Sequence, residues 1–154
     1  MISFRIYSLL FLLQLVIATN CIASPFPIKG RISDGEDRHL GTAFVYPRFV
    51  EIYNPENKKI GKVGIVVEQG LAKLFLIKQN DSLSLVGYAS GGKIFNAKDK
   101  VVGEYFWTPT WSFAYWPGGK LAGKVKCIAW PRVCSVGVAG YLLKLFDDKN
   151  ENPP

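Results

Sequence analysis

The chain has few residues that could do catalytic chemistry, and their types and spacing argue against an enzyme. His39 is the only histidine, so a catalytic triad or a zinc site would have to be built around one imidazole. The sequence has no Gly-x-Ser-x-Gly, Walker A or dinucleotide-binding motif. We therefore expect a protein that is not an enzyme and that uses no metal and no cofactor.

One acidic turn has side chains of the type that bind calcium. Asp34, Glu36 and Asp37 lie within five residues of each other. The ligand pattern of a calcium loop is incomplete, because no glutamate follows at the distance needed for bidentate coordination. The spacing favours the alternative, a solvated acidic turn.

The densest group of side chains that could bind a ligand is aromatic and spans residues 105–116. Seven of these twelve residues are Phe, Tyr or Trp. Such a surface could stack on sugar rings or form the centre of a protein interface. The alternative is a hydrophobic core, because Tyr105 and Trp107 would share one face of a strand. Trp111 and Trp116 lie beside turns and are predicted to be exposed, and we assign them, with Lys120, to a ligand-binding site.

The N-terminal segment has the pattern of a signal peptide. Arg5 precedes an apolar run over residues 6–17, and Cys21 and Ala23 are small residues at the −3 and −1 positions of a cleavage site. Removal of residues 1–23 would give a secreted or periplasmic protein with no stable membrane span after processing. The alternatives are an uncleaved anchor and a lipid on Cys21.

Cleavage would leave two cysteines, Cys127 and Cys134. An even pair in an exported chain predicts a disulfide. We predict a hairpin in which Trp130-Pro131 is a two-residue turn with a cis peptide bond, because this register places the two cysteines directly opposite each other.

The elements that must position these residues are predicted from a repeat. In the segments from Ile52 to Gly61 and from Ile94 to Gly103, an apolar residue next to an aromatic one stands nine positions before a glycine. A polar turn lies between them, so each unit has the pattern of a β-hairpin. A glycine inside a strand indicates a bulge, a bend or a close backbone approach. The structural glycines predicted in this way are Gly41, Gly61, Gly87, Gly103 and Gly123.

The strands carry apolar residues on both faces, which indicates a sheet that is covered on both sides or rolled on itself. We predict an all-β fold of tandem antiparallel hairpins that form an up-and-down, barrel-like or rolled sheet. A flattened hairpin array is the alternative. Strands are predicted to the end of the domain, including residues 133–138 and 141–146. The predicted parts of the chain are the signal peptide, an extended leader over 24–29, one β-repeat domain over 30–146 and a disordered tail over 147–154.

The units Ile-Phe-Asn…Val-Val-Gly and Ile-Tyr-Asn…Ile-Gly-Lys-Val resemble the tandem hairpin repeats of small bacterial β-flap proteins. The similarity covers residues 30–125. It implies a hairpin-repeat fold and provides no catalytic residue.

The formal net charge of +7 is compatible with anionic partners such as nucleic acid, acidic glycans or lipid headgroups. The alternative, which the sequence favours, is that the lysines are solvated on the surface of a β-protein. The basic residues are spread along the chain without a basic run or an RNA-binding motif, which argues against nucleic acid. We expect an exported, non-catalytic binding module whose aromatic and lysine surface binds a glycan or an envelope protein. The alternative is a secreted inhibitor or effector that acts on another protein through a hairpin loop.

Overall fold

Ten antiparallel strands form a closed barrel in the computed structural model, which describes residues 26–77 and 82–147. Neighbouring strands follow one another in chain order, and the last strand pairs with the first to close the barrel. The predicted up-and-down barrel of hairpins is confirmed, and the flattened array is not formed. The strands are β1 (Ile28–Ser33), β2 (His39–Val45), β3 (Phe49–Tyr53), β4 (Lys59–Glu68), β5 (Leu71–Ile77), β6 (Leu83–Ser90), β7 (Lys93–Asn96), β8 (Val101–Trp107), β9 (Trp111–Tyr115) and β10 (Leu121–Lys126).

Each predicted structural glycine lies opposite a buried apolar residue of the preceding strand. Beside each glycine the register shifts by one residue, so that the residue before the glycine has no partner and forms a β-bulge. The sequence repeat therefore corresponds to five equivalent bulges around the barrel. The pairs are Ile32 with Gly41, Ile52 with Gly61, Leu74 with Gly87, Ile94 with Gly103 and Ala114 with Gly123.

Four hairpin turns, at residues 34–38, 54–58, 97–100 and 116–120, lie at the same end of the barrel, which we call the turn end. Asn54 shows how such a turn is built. Its backbone N–H donates to the Lys58 carbonyl at 3.0 Å, and its side-chain oxygen accepts from the Lys58 N–H at 2.8 Å. Asn96 makes the equivalent bonds with Lys100. Asparagine suits the first position because its side chain satisfies backbone groups that the turn leaves unpaired.

Among the described residues there is one helix, α1 (Pro131–Leu142), which lies inside the barrel and forms the core together with the inward side chains of the strands. It contacts strands on every side, from β2 to β5 and from β7 to β10. Its residues 133–140 are all buried. A helix that is surrounded by protein on all sides has no polar face, so its sequence shows no helical alternation of polar and apolar residues.

The strands predicted at residues 133–138 and 141–146 are wrong, and so is the hairpin predicted over 127–134. The Trp130–Pro131 peptide is trans, Trp130 has a left-handed backbone (φ 51°, ψ 51°), and Pro131 begins the helix. Proline suits this first position because its N–H would have no partner within the helix. The valines of this segment are typical of a strand, but inside the barrel the segment is a helix whose glycines fit the narrow space. A Cβ atom on Gly137 would lie 2.9 Å from Val50.

The repeat glycines also make room for the residues at the C-terminal end of the helix. A Cβ atom at Gly123 would lie 2.7 Å from a Leu142 methyl, and one at Gly103 would lie 2.7 Å from both Leu143 methyls. These leucines are buried. A larger side chain at these strand positions would displace the leucines. Two features therefore require glycine there, the bulge and the close approach of the residues at the end of the helix.

The ends of the domain differ slightly from the predicted bounds. β1 begins at Ile28, two residues before the predicted start of the domain at residue 30. The predicted signal peptide, the first residues of the leader and all but residue 147 of the predicted tail lie outside the described residues. Within residues 26–77 and 82–147, no helix is long and apolar enough to cross a membrane.

Candidate functional site

A shallow groove crosses the outer face of the barrel where β9, β10 and β1 lie side by side. We call it the seam groove, because it lies over the junction at which the first and last strands close the barrel. Its volume of about 580 Å³ is within the range of ligand-binding pockets. The residues that line it are Lys29, Arg31, Ser33, Asp37, Trp111 and Lys126.

The side chains of β1 reach the groove by strand alternation. Lys29 and Arg31 are exposed on the outer face, whereas Gly30 and Ile32 are buried on the inner face. Gly30 lets β1 approach β10 closely, because a Cβ atom there would lie 2.8 Å from the Lys126 carbonyl oxygen. The two cations of β1 are thus placed beside the outer residues of β10.

Trp111 is positioned by a short turn and by pairing with Lys126. The Thr108 hydroxyl accepts from the Trp111 N–H at 3.0 Å, and the Thr108 N–H donates to the Trp111 carbonyl at 2.7 Å. These bonds fix the start of β9, where Trp111 lies directly opposite Lys126 of β10. The next residue, Ser112, points inward and hydrogen-bonds Ser135 of the helix. Alternation therefore directs the indole outward.

The groove has an excess of positive charge. Lys124 lies beside it, with its ammonium nitrogen 2.8 Å from an Asp37 carboxylate oxygen and 5.7 Å from the centre of the Trp111 ring. Lys124 therefore compensates the carboxylate that lines the groove. The three lining cations, Lys29, Arg31 and Lys126, form no ion pair with a described carboxylate. Arg31 donates to the backbone carbonyl of Asp37 at 3.3 Å, which orients its guanidinium without neutralising it.

The structure does not bring the three predicted binding residues together. Trp111 is 37% exposed and lines the groove, as predicted from its place beside a turn. Trp116 is half-buried and packs against the core, so the prediction that it is exposed is wrong. It follows the far end of β9, about 17 Å from Trp111 at the usual rise of a strand. Lys120 is exposed in the next turn, where its carbonyl accepts from the Trp116 N–H at 2.8 Å, and it does not line the groove.

The aromatic segment contributes to both faces of the sheet. The register places Phe106 opposite Phe113 on the outer face and Tyr105 opposite Ala114 on the inner face. Tyr105 is half-buried beside the core, and this burial raises the pKa of its hydroxyl. Both interpretations of the segment thus apply, the core to Tyr105 and the exposed surface to Phe106 and Trp111.

The acidic turn at residues 34–38 satisfies its own polar groups. The Asp34 carboxylate accepts from the Arg38 guanidinium at 2.6 Å and from the backbone N–H groups of Glu36 and Arg38 at 2.9 Å each. These bonds hold the pKa of Asp34 below its usual value, and the bond from the Arg38 side chain has the largest effect. In the part of the chain that the structure describes, no three His, Cys, Asp or Glu side chains could hold a metal ion together. His39 is exposed.

The predicted disulfide between Cys127 and Cys134 is confirmed, but it joins different elements from those expected. Its Cα atoms are 6.1 Å apart, and both residues are buried. The bond links the residue after β10 to the first turn of α1. The Cys127 N–H also donates to the Thr110 carbonyl at 2.8 Å. The start of the helix is therefore anchored to the turn that holds Trp111.

Of the six residues that line the groove, the sequence predicted only Trp111 as a binding residue, and the three cations Lys29, Arg31 and Lys126 were missed. Alternation in Ile28–Ser33 would have put the first two on one face, but their meeting with Lys126 depends on closure of the barrel. No protein-family model matches this chain, and no curated protein or solved structure shows significant similarity to it.

Proposed function

We propose that the protein is a non-catalytic binding module and that the seam groove binds an acidic glycan. The observation that carries this proposal is the position of three cations without carboxylate partners among the described residues, beside the indole of Trp111 in an open groove. The C–H face of a sugar ring would stack on the indole, as apolar groups do on aromatic rings. A uronate or sulfate on the same sugar would accept hydrogen bonds from the cations.

The type of each cation supports a carboxylate or sulfate ligand. The planar guanidinium of Arg31 can donate two parallel hydrogen bonds to one such group. Lys29 and Lys126 have flexible stems, so they could follow charges at different positions along a chain. An open groove suits a polymer that passes across the surface, because neither end of the chain has to be enclosed.

The alternative of an inhibitor or effector with a protruding loop has less support. The described turns between strands contain two to five residues. Several of them are held by internal hydrogen bonds, such as those of Asn54 and Asn96. None of the described turns extends far from the barrel as a separate recognition loop would. Export of the chain, which the N-terminal pattern predicts, would place the groove where acidic glycans occur.

Calorimetric titration with a uronic acid oligosaccharide, with a neutral malto-oligosaccharide of equal length as the comparison, tests the proposal. We expect Trp111→Ala to weaken binding of the acidic sugar about tenfold, since it removes the stacking surface. Arg31→Gln should weaken it about fivefold and reduce its salt dependence, since it removes one charged contact.

Two matched variants serve as controls for this titration. Trp130→Ala removes an exposed indole that does not line the groove, and Lys98→Gln removes an exposed charge in the turn between β7 and β8, which does not line it either. Both should bind the acidic sugar as the unchanged protein does. Equal binding of the neutral and acidic sugars, or unchanged binding by Trp111→Ala, would contradict the proposal.

A further inference from the structure

The end of the barrel opposite the turn end has a group of exposed apolar side chains. We call this the aromatic end and define its apolar rim as Phe26, Trp107, Ile128 and Trp130. Ile128 is 63% exposed, and Trp107 and Trp130 are each 44% exposed. Single exposed apolar residues are common on protein surfaces, but a group of this kind at one place marks an interaction site.

One ring contact, the strand register and the order of the chain place these residues around the same mouth of the barrel. The rings of Phe26 and Trp130 are 6.3 Å apart. Trp107 lies directly opposite Ser112, which hydrogen-bonds Ser135 in the first turns of the helix that follows Trp130. Ile128 is between Trp130 and the disulfide, in the segment that connects β10 to α1. The rim therefore borders the mouth of the barrel at the start of the helix.

The charges around the rim are basic. Arg48, Lys93 and Arg132 are exposed in or beside the connections at this end. The described connections here, residues 46–48, 69–70, 91–92, 108–110 and 127–130, contain no aspartate or glutamate. The described turns at the other end contain five acidic residues. Two acidic residues lie next to these connections: Glu68, beside residues 69–70, pairs with Lys73 at 3.1 Å, and Glu104 lies opposite Lys93. Arg48 and Arg132 form no ion pair with a described carboxylate, and an apolar rim beside these two cations fits an anionic surface with an apolar interior.

We infer that the aromatic end docks on the surface of an anionic lipid bilayer. Tryptophan favours the boundary between headgroups and acyl chains, because its indole has an apolar body and one N–H donor. Basic side chains beside such a ring gain further attraction from anionic headgroups. Reversible binding of a folded protein to a bilayer commonly needs both signals, and this end provides them together.

A second copy of the protein fits this surface less well. Two such ends facing each other would bring Arg48, Lys93 and Arg132 of one copy against those of the other, and like charges at close range repel.

Vesicle sedimentation tests this inference with the chain that begins at Ser24, which contains every strand and the helix of the described barrel. We expect it to sediment with phosphatidylcholine vesicles that contain about 30% phosphatidylglycerol. Its binding to pure phosphatidylcholine should be much weaker, and salt at about 0.5 M should release most of it. Ile128→Ser and Trp130→Ala should each reduce the partition coefficient at least about fivefold.

Leu83→Ser is the matched control, because Leu83 is also 63% exposed but lies on the outer face of β6, away from the rim. It should bind vesicles as the unchanged protein does, and so should Trp111→Ala, which separates this surface from the seam groove. An independent measurement uses the unsubstituted protein. Brominated acyl chains should quench its tryptophan fluorescence, and Trp130→Ala should reduce the quenched fraction.

Three results would overturn the inference. The first is failure to sediment with the anionic vesicles, and the second is an equal loss of binding in Leu83→Ser. The third is a dimer in analytical ultracentrifugation that Ile128→Ser dissociates, which would assign the rim to a contact between copies.

Discussion

The two ends of the barrel are built in different ways. At the turn end, asparagine and aspartate bond to the backbone of their own turns, and five acidic residues balance the neighbouring lysines and arginines. At the aromatic end, the described connections have no acidic residue, three of the four rim residues are aromatic, and a disulfide fixes the start of the helix. The turns at the turn end share one pattern of internal hydrogen bonds, whereas the connections at the aromatic end share no such pattern.

This difference separates folding from binding. The turn end uses its polar groups internally and admits the leucines at the end of the helix through glycines in the wall, so it has little left for a partner. The aromatic end leaves large apolar side chains in contact with water, so their burial does not contribute to the free energy of folding. Such a surface is typical of a site that a partner covers. Three predictions test this division.

The largest effect should come from filling the space that the turn end leaves for the helix. A Cβ atom at Gly103 would meet the Tyr115 carbonyl oxygen and both Leu143 methyls, whereas one at Gly61 would meet a Leu76 methyl at 3.1 Å. A backbone carbonyl cannot move aside, but the end of a leucine side chain can. We expect Gly103→Ala to lower the free energy of unfolding by about 3–4 kcal/mol and Gly61→Ala by less than about 1 kcal/mol.

Urea denaturation of the two glycine variants provides the measurement. The variants carry the same chemical change at equivalent positions of the repeat, so each serves as the control for the other. Equal midpoints would mean that the close approach of Leu143 does not require the glycine.

An intermediate effect should follow from opening the disulfide at the aromatic end. The Cys127–Cys134 bond closes a short loop and anchors the start of α1 inside the barrel. Replacing both cysteines by serine should lower the free energy of unfolding by about 2–3 kcal/mol, since the unfolded chain gains conformational freedom. Thermal melts with and without a reductant check this. The reductant should affect the unsubstituted protein and leave the double variant unchanged; a sensitive double variant would contradict the assignment.

The smallest effect concerns Tyr141 at the turn end, whose hydroxyl donates to the Leu40 carbonyl at 3.0 Å. Burial raises the pKa of Tyr141, and the charges of Asp147 and Glu56 add to the rise. The folded state therefore favours the neutral hydroxyl, so this contribution to stability is complete below pH 10 and is lost as the pH rises above the folded pKa.

Tyr141→Phe should lower the free energy of unfolding by about 1 kcal/mol at pH 8, because the hydrogen bond is lost. The difference from the unchanged protein should shrink above pH 10. Denaturant melts at both pH values test this, with Tyr115→Phe on the outer face of β9 as the control. A difference that grows with pH would show that the sign is wrong.

Much of the barrel sheet was predictable from the sequence, because its hairpins and bulges are specified by residues that are close together in the chain. The nine-residue spacing from Ile52 to Gly61 and from Ile94 to Gly103 reports a hairpin with a bulge, and both are decided by neighbouring residues. The even pair Cys127 and Cys134, in a chain that its N-terminal pattern predicts to be exported, likewise predicted their bond, although not the elements that it joins.

Only the tertiary structure decided that residues 131–142 form a helix. Periodicity identifies a helix when one side faces water, and α1 is enclosed on all sides. Its sequence therefore shows no helical period, and its valines favoured a strand. The candidate surfaces depended on the same long-range closure. Arg31 and Trp111 are eighty positions apart in the chain and line one groove because β1 and β10 meet. A local pattern does not specify which distant strands become neighbours. Packing of the strands around the helix determines that.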